Sequence, residues 1–171
     1  STEYTDPGNR RLHAQTISCP DCGPQYTLYD DKGNPTPSDD PFKNFSNALE
    51  SGKFLVLKSW GGMHILASLD VIPKLRERYK RKTKPFALMF RDIDTVREYT
   101  HLTDDGEKIL TSSARPILLL RKRKGFPFLE DAAPGLDSVG VMLPYTGAHH
   151  ILFRDLSADG IVATSANLPG E

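Results

Sequence analysis

From residue 41 onward, apolar positions recur at spacings that switch between helical and extended. Phe42, Phe45, Ala48 and Leu49 share one face of a helix that Asp40 caps, Pro41 opens and Gly52 stops. Phe54-Leu55-Val56-Leu57 reads as a buried strand, Gly61-Gly62 as a turn and 63–67 as another strand. Asp70 opens a helix with Pro73 in its first turn and Leu75 on its apolar face, and this helix runs into a basic segment, 76–84. Residues 86–90 form a strand, 92–99 and 104–110 short helices, and 117–120, 139–143 and 161–163 further strands. Residues 149–153 fit either a helix or a strand. Strands interleaved with helical segments predict an α/β domain with a sheet at its core, whose strand order the pattern does not encode.

The first 40 residues differ. Pro7, Gly8, Pro20, Gly23, Pro24, Gly33, Pro35 and Pro37 break any long periodic element there, so this stretch reads as loop-rich. A length of 171 residues suits one globular domain with a small appendage. Lys plus Arg equals Asp plus Glu at 22 each, so no overall field draws the chain to nucleic acid or anionic lipid. Phosphate binding would need a local cluster. The apolar runs are too short to span a bilayer, and the polar start, with Asp6, Arg10 and Arg11, does not read as a signal peptide. A cytoplasmic location is the expectation.

The two cysteines, Cys19 and Cys22, form one C-x-x-C hook. A structural zinc site takes four tetrahedral ligands, commonly from two such hooks. With His13 as the nearest further donor, this chain supplies an incomplete set. A reduced, unliganded pair is the plain alternative. A redox pair fits less well, because Pro20 and Gly23-Pro24 favour a knuckle over a strand-to-helix turn.

Arg76, Arg78, Lys80, Arg81, Lys82 and Lys84 crowd the segment before the strand at Phe86. Charge alone makes such a run a solvated helix face. Its functional reading is a phosphate clamp, with arginine as a planar fork and lysine as a mobile point charge. Neither a P-loop nor a G-x-G-x-x-G turn is present. Thr164-Ser165-Ala166-Asn167, after the last strand, places hydroxyls and an amide at a sheet end, suited to a small ligand or to an ordinary turn. Lys58, Gly61, Gly62 and His64 form a further group, in which His64 reads as a satisfied strand histidine. Pro144-Tyr145-Thr146 with His149 and His150 reads as a site wall or as ordinary packing. Adjacent histidines do not face one another, so no His–His metal site is expected.

The order of these features resembles one family. Asp6-Pro7-Gly8-Asn9-Arg10-Arg11-Leu12-His13 followed by Cys19-Pro20-Asp21-Cys22-Gly23-Pro24 resembles the closing half of the second zinc finger of HypF-type hydrogenase-maturation carbamoyltransferases. Gly52-Lys53 through Lys58 to Gly61-Gly62-Met63-His64 is similar to the start of their YrdC-like domain. Lys84-Pro85-Phe86-Ala87-Leu88-Met89, Arg115-Pro116-Ile117, Gly140 to Thr146 with His149-His150, and Thr164-Ser165-Ala166-Asn167 continue it in order. The fold this implies is a YrdC-like twisted mixed sheet with flanking helices over 31–171, truncated at its C-terminal end, after a partial zinc-finger segment over 1–30.

The resemblance also implies an activity. In the family, carbamate released from carbamoyl phosphate is condensed with ATP, helped by Mg2+, to carbamoyl adenylate and pyrophosphate. The carbamoyl group then passes to the C-terminal cysteine of the partner HypE. The chain is expected to hold only the middle portion of such an enzyme and not to complete the whole reaction. Arg81 and Lys84 match the K-x-R-P-x-K-P segment and are the implied catalytic contacts to phosphate or carbamate. Lys80, Arg115, Thr146, Ser165 and Asn167 complete the implied ATP and carbamoyl-adenylate site, and His13, Cys19 and Cys22 the partial Zn2+ set. Tyr79 stands where the family has its first lysine, and Lys82 where it has proline. Lys80 is one place along, a shift that on a helix turns a side chain by about 100°. Gln25 and Gly147-Ala148 also depart from the pattern. Two other readings remain: a YrdC-type threonylcarbamoyl-adenylate synthase for tRNA modification, and a non-catalytic nucleotide- or RNA-binding module.

Overall fold

The computed structural model describes residues 2–9, 23, 25–59 and 62–166. The chain divides into two compact units, Ser1–Pro41 and Phe42–Glu171. In the first, α1 (Thr2–Thr5) is a single helical turn, and β1 (Leu28–Tyr29) and β2 (Pro35–Thr36) pair antiparallel. Asp30 builds the turn between these strands. Its carboxylate accepts the Lys32 and Asn34 backbone N–H groups and the Asn34 amide, and Gly33 supplies a φ of +82°.

The second unit runs α2 (Pro41–Glu50), β3 (Leu55–Ser59), β4 (Gly62–Ser68), a 3-10 turn (Leu69–Val71), α3 (Ile72–Arg78), β5 (Leu88–Phe90), α4 (Ile93–Tyr99) and α5 (Asp104–Thr111). It continues with β6 (Leu118–Arg121), α6 (Pro127–Ala132), β7 (Ser138–Met142), α7 (Gly147–Asp155) and β8 (Gly160–Ser165). Local chemistry sets many of the helix starts. Asp92 caps α4 by accepting the Thr95 N–H at 2.8 Å, Thr103 caps α5 through Gly106, and prolines open α2 and α6.

The six strands of the main sheet lie in the order β3-β4-β8-β5-β7-β6. The β5–β7 pair is parallel and the other ladders are antiparallel. The last strand therefore sits inside the sheet, between β4 and β5. One face carries Ile65, Ala67, Phe86, Leu88, Phe90, Leu120, Val139, Val141 and Val162, packed against Ile72 and Leu75 of α3, Val96 of α4, Leu110 of α5 and Leu129 and Ala132 of α6. Strand alternation turns Leu57, Leu66, Met89, Met142, Ile161 and Ala163 to the other face, and all six are buried. There α7 brings His149 against His64. Glu50, at the end of α2, accepts the Ser157 N–H and O–H just beyond α7.

The expected twisted mixed α/β sheet is the observed one, with differences of detail. The helix expected to run through the basic segment stops at Arg78, and 149–153 lies within a helix. The last strand is longer than 161–163 and takes in Thr164 and Ser165. Three short elements, α1, the β1–β2 ladder and α6, were not expected, because none is long enough to show a hydrophobic period. No helix among the described residues is long and apolar enough to cross a membrane.

Gly160 is the most closely packed of the described glycines. A Cβ there would lie 2.5 Å from Phe90 Cδ1 and 3.1 Å from the Met89 carbonyl oxygen. Gly160→Ala is expected to destabilise the fold by about 2 kcal/mol through overpacking, measured as a lowered urea midpoint at unchanged m-value.

Candidate functional site

The basic segment owes its shape to the way α3 ends. Tyr79 is the C-cap, Lys80 takes a φ of +50°, the Lys80 N–H donates to the Glu77 carbonyl and the Arg81 N–H to the Arg76 carbonyl. This is the Schellman pattern, with a lysine in the left-handed position that glycine usually fills. Residues 79–81 are therefore not helical, and the rotation expected of a one-residue shift along a helix does not apply to them.

Arg76 belongs to the scaffold. Its guanidinium donates to the carbonyls of Arg81 at 2.9 Å and Lys84 at 3.2 Å on one side, and to those of Ala132 at 2.7 Å and Asp131 on the other. The Phe86 N–H closes the join by donating to Ala132 at 2.8 Å. Arg81 reaches across to the last strand, where its Nη1 meets Thr164 Oγ1 at 3.4 Å. Both guanidiniums lie over the Phe86 ring, at 4.9 Å for Arg76 and 4.8 Å for Arg81. Burial lowers the pKa of each from its ordinary value, and for Arg76 the charge of Arg81 adds to the effect. Two cations on one ring, beside the exposed side chains of Lys80, Lys82 and Lys84, make a site that an anion would relieve.

Strand β8 presents its end to this loop. Thr164 pairs with Ile65 and shares the face of Phe86, whereas Ser165 pairs with His64 and shares the opposite face. The Ala166 N–H donates to the Met63 carbonyl at 2.9 Å and ties the strand end to β4. The structure thus brings Arg81 to Thr164, and not to Ser165, whose side chain is on the other face. Asn167 lies outside the described residues, as do His13, Cys19 and Cys22. Thr146 caps α7: its Oγ1 accepts the His149 N–H and the Ser59 hydroxyl, each at 3.3 Å. Arg115, in a turn with φ +43°, leads into β6 at the end of the sheet where β7 finishes, not at the end where Ser165 lies.

One cluster joins two groups that the sequence offers only separately, His64 and the Tyr145–His149 segment. On the α7 face, His64 Nε2 is 3.3 Å from the Tyr145 hydroxyl, and the His149 ring lies 4.6 Å from that of Tyr145 and 6.1 Å from that of His64. His64 is not the satisfied strand histidine expected: its Nδ1 is buried without a hydrogen-bond partner among the described residues, as are both nitrogens of His149. Burial lowers the His64 pKa, and burial with the charges of His64 and His150 lowers that of His149 to about 4. The sequence does not join the two groups because residues 64 and 149 meet only in space.

Elsewhere, an open groove of about 1170 Å³ is lined by His101, Arg121, Lys122, Arg123, Glu130 and Asp137 among others. Two of its cations are already held: Lys122 by Glu130 and the Ala133 carbonyl, Arg123 by the Arg97 and Thr100 carbonyls. This groove is separate from the Arg81–Thr164 contact. Among the described residues no group of three or more His, Cys, Asp or Glu side chains is placed to hold a metal ion.

The last strand is inserted in the mixed sheet and ends in hydroxyls beside a basic loop. The Sua5/YciO/YrdC family model, described as telomere recombination, matches residues 47–171, and the chain belongs to that family. The HypF finger model matches residues 1–29. The relatives narrow the class further. Carbamoyltransferase HypF of Rhodobacter capsulatus is 40% identical over 171 residues, 98% of this chain and 22% of its own length. The crystal structure of T. kodakarensis HypF matches with a TM-score of 0.91 and 42% identity, over 99% of this chain and 22% of that one. Full-length HypF in its phosphate- and nucleotide-bound form matches with a TM-score of 0.87 and 38% identity over the same shares. The chain thus spans 22% of the length of these relatives, and the resemblance carried by the ordered motifs holds along it.

Two measurements follow from this geometry. Arg76→Ala removes four donations to backbone carbonyls and is expected to cost about 2–3 kcal/mol in urea unfolding, against less than about 0.5 kcal/mol for the exposed Arg78→Ala. His149 binds a proton less readily folded than unfolded, so stability is lost as pH falls from 6.5 towards 4. Between pH 7 and pH 4, the wild type is expected to lose about 3 kcal/mol more than His149→Phe, which lacks the titrating ring.

Proposed function

We propose that the chain is a section of a HypF-type carbamoyltransferase, with 1–30 contributing the second half of a zinc finger and 31–171 an adenylate-forming domain. In this reading the sheet end at Arg81 and Ser165 condenses carbamate with ATP to carbamoyl adenylate and pyrophosphate. The observation that carries it is the 3.4 Å contact between Arg81 and Thr164, which joins two segments 83 residues apart, one cationic and one rich in hydroxyls. The names of the relatives support the carbamoyl chemistry, and the nucleotide- and phosphate-bound form of one supports the ligand class.

The reaction asks little of the protein beyond charge and position. A carbamate oxygen attacks the α-phosphorus, the bond from that phosphorus to the bridging oxygen breaks, and pyrophosphate leaves with the electron pair. An ionised carbamate needs no general base. Arg81 and Lys84 offset charge on the phosphates and the carbamate, with Lys80 beside them at the loop's left-handed turn. Ser165 and Asn167 orient the α-phosphate and the acyl group. Thr146 supports the site indirectly, through α7 and Ser59. Arg115 stands at the far end of β7, so a role for it is the outlying part of the assignment. Magnesium enters with ATP as part of the substrate, held by phosphate oxygens and water. In the finger, Cys19, Cys22 and His13 would supply part of a zinc set completed by ligands from elsewhere. The parent enzyme would take its carbamate from carbamoyl phosphate and pass the carbamoyl group to the C-terminal cysteine of HypE.

The match of the HypF finger to residues 1–29 favours this reading over a threonylcarbamoyl-adenylate synthase. The net charge of zero disfavours an RNA-binding module.

Calorimetric titration with MgATP tests the site. Saturable binding is expected, weakened at least tenfold by Arg81→Ala or Asn167→Ala, with Lys82→Ala within twofold of the wild type. Binding that is unaffected by Arg81→Ala would place the nucleotide elsewhere and overturn the assignment.

A further inference from the structure

Arg81 is held by an aromatic ring and not by an ion pair. Its backbone is pinned: Arg76 donates to its carbonyl at 2.9 Å, and its own N–H donates to the Arg76 carbonyl. The guanidinium has much less. It is half-buried, makes one hydrogen bond among the described residues, to Thr164 Oγ1 at 3.4 Å, and has no carboxylate partner there. Other arginines of the domain are paired, Arg97 with Glu107 and Arg154 with Asp155. What lies against the Arg81 guanidinium is the face of Phe86, with the ring centre 4.8 Å away.

That ring is a rigid seat. Phe86 is 2% exposed, belongs to the core cluster with Leu75 and Leu129, and is tied by its N–H to the Ala132 carbonyl at 2.8 Å. It also carries Arg76, at 4.9 Å. Arg76 does not depend on the ring, because four donations to carbonyls fix its guanidinium. Arg81 does. A long side chain with one weak tether has many rotamers open to it, and burial without a counter-charge disfavours its charged form. A carboxylate would hold it more firmly, but would cancel its charge and occupy its fork. An aromatic face attracts a cation through its quadrupole and brings no negative charge of its own. Such a seat suits a guanidinium whose charge is kept for an incoming anion.

We propose that Phe86 is a positioning residue of the anion site: its ring face holds the Arg81 guanidinium beside Thr164 and leaves the charge available to the ligand. The inference rests on the adenylate-forming reading and adds to it the residue through which Arg81 is aimed. The ring then has a task beyond packing, one that depends on its electrons as well as its shape.

Fluorination separates the two, because it withdraws charge from the ring face and alters its shape little. The test is calorimetric titration of the full chain with MgATP, carrying monofluoro-, trifluoro- or pentafluorophenylalanine at position 86. Affinity is expected to fall stepwise, to about tenfold below the wild type for the pentafluoro ring. In an Arg81→Ala background the same series should leave the residual affinity within about twofold. Pentafluorophenylalanine at position 128, where the ring meets Tyr99 and Phe126, should also change it by less than about twofold. The trifluoro ring is smaller and stands as the test should the pentafluoro variant fail to fold. Affinity unchanged across the series overturns the seat, and leaves the adenylation reading standing if Arg81→Ala still weakens binding. An equal fall in the Arg81→Ala background overturns it too, since the ring would then act without Arg81. Binding indifferent to Arg81→Ala, or no binding by the folded chain, overturns both.

Discussion

One guanidinium organises this domain. Arg76, at the end of a seven-residue helix, donates to two carbonyls of the loop that follows it and to two at the end of α6. A loop carrying four further cations would by itself be an extended, self-repelling tether. Tied at Arg81 and Lys84, it becomes a fixed rim, and Phe86 enters the core directly beneath it. The cation that looks like part of the binding cluster thus fixes the backbone, and the neighbouring side chains are left facing outward. Arginine suits the task because its fork reaches several acceptors at once, which a lysine's single ammonium does not.

The strand end opposite that rim serves both faces of the sheet. Thr164 and Ser165 are consecutive, so their hydroxyls point to opposite sides. The Thr164 side is cationic, with two arginines on one ring. The Ser165 side carries two imidazoles whose charged forms burial disfavours. A ligand lying across the end of β8 would meet positive charge at one end and imidazole groups at the other. That polarity follows from the pleat of a single strand.

Much of this was legible in the sequence, for identifiable reasons. The helix of residues 41–50 and the strands of the main sheet show a hydrophobic period, and the motifs occur in a fixed order. The basic loop was legible as charge but not as shape, because a Schellman turn normally announces itself with glycine and here carries Lys80. The six residues of α6 span too few turns to show a period. The insertion of β8 between β4 and β5 and the meeting of His64 with His149 are long-range pairings. Nothing local at residues 64, 149 or 160 encodes them.

The placement of β8 also bears on how the domain comes to be assembled. The strands before it form two partial sheets, the β3–β4 hairpin and the β5–β7–β6 group, each with an open edge facing the other. They join only when the last strand is available to pair with both. During synthesis these edges must therefore wait, unpaired, until residues 160–165 have left the ribosome. A pause or a break in the chain before that point would leave two sticky half-sheets, not a smaller stable domain.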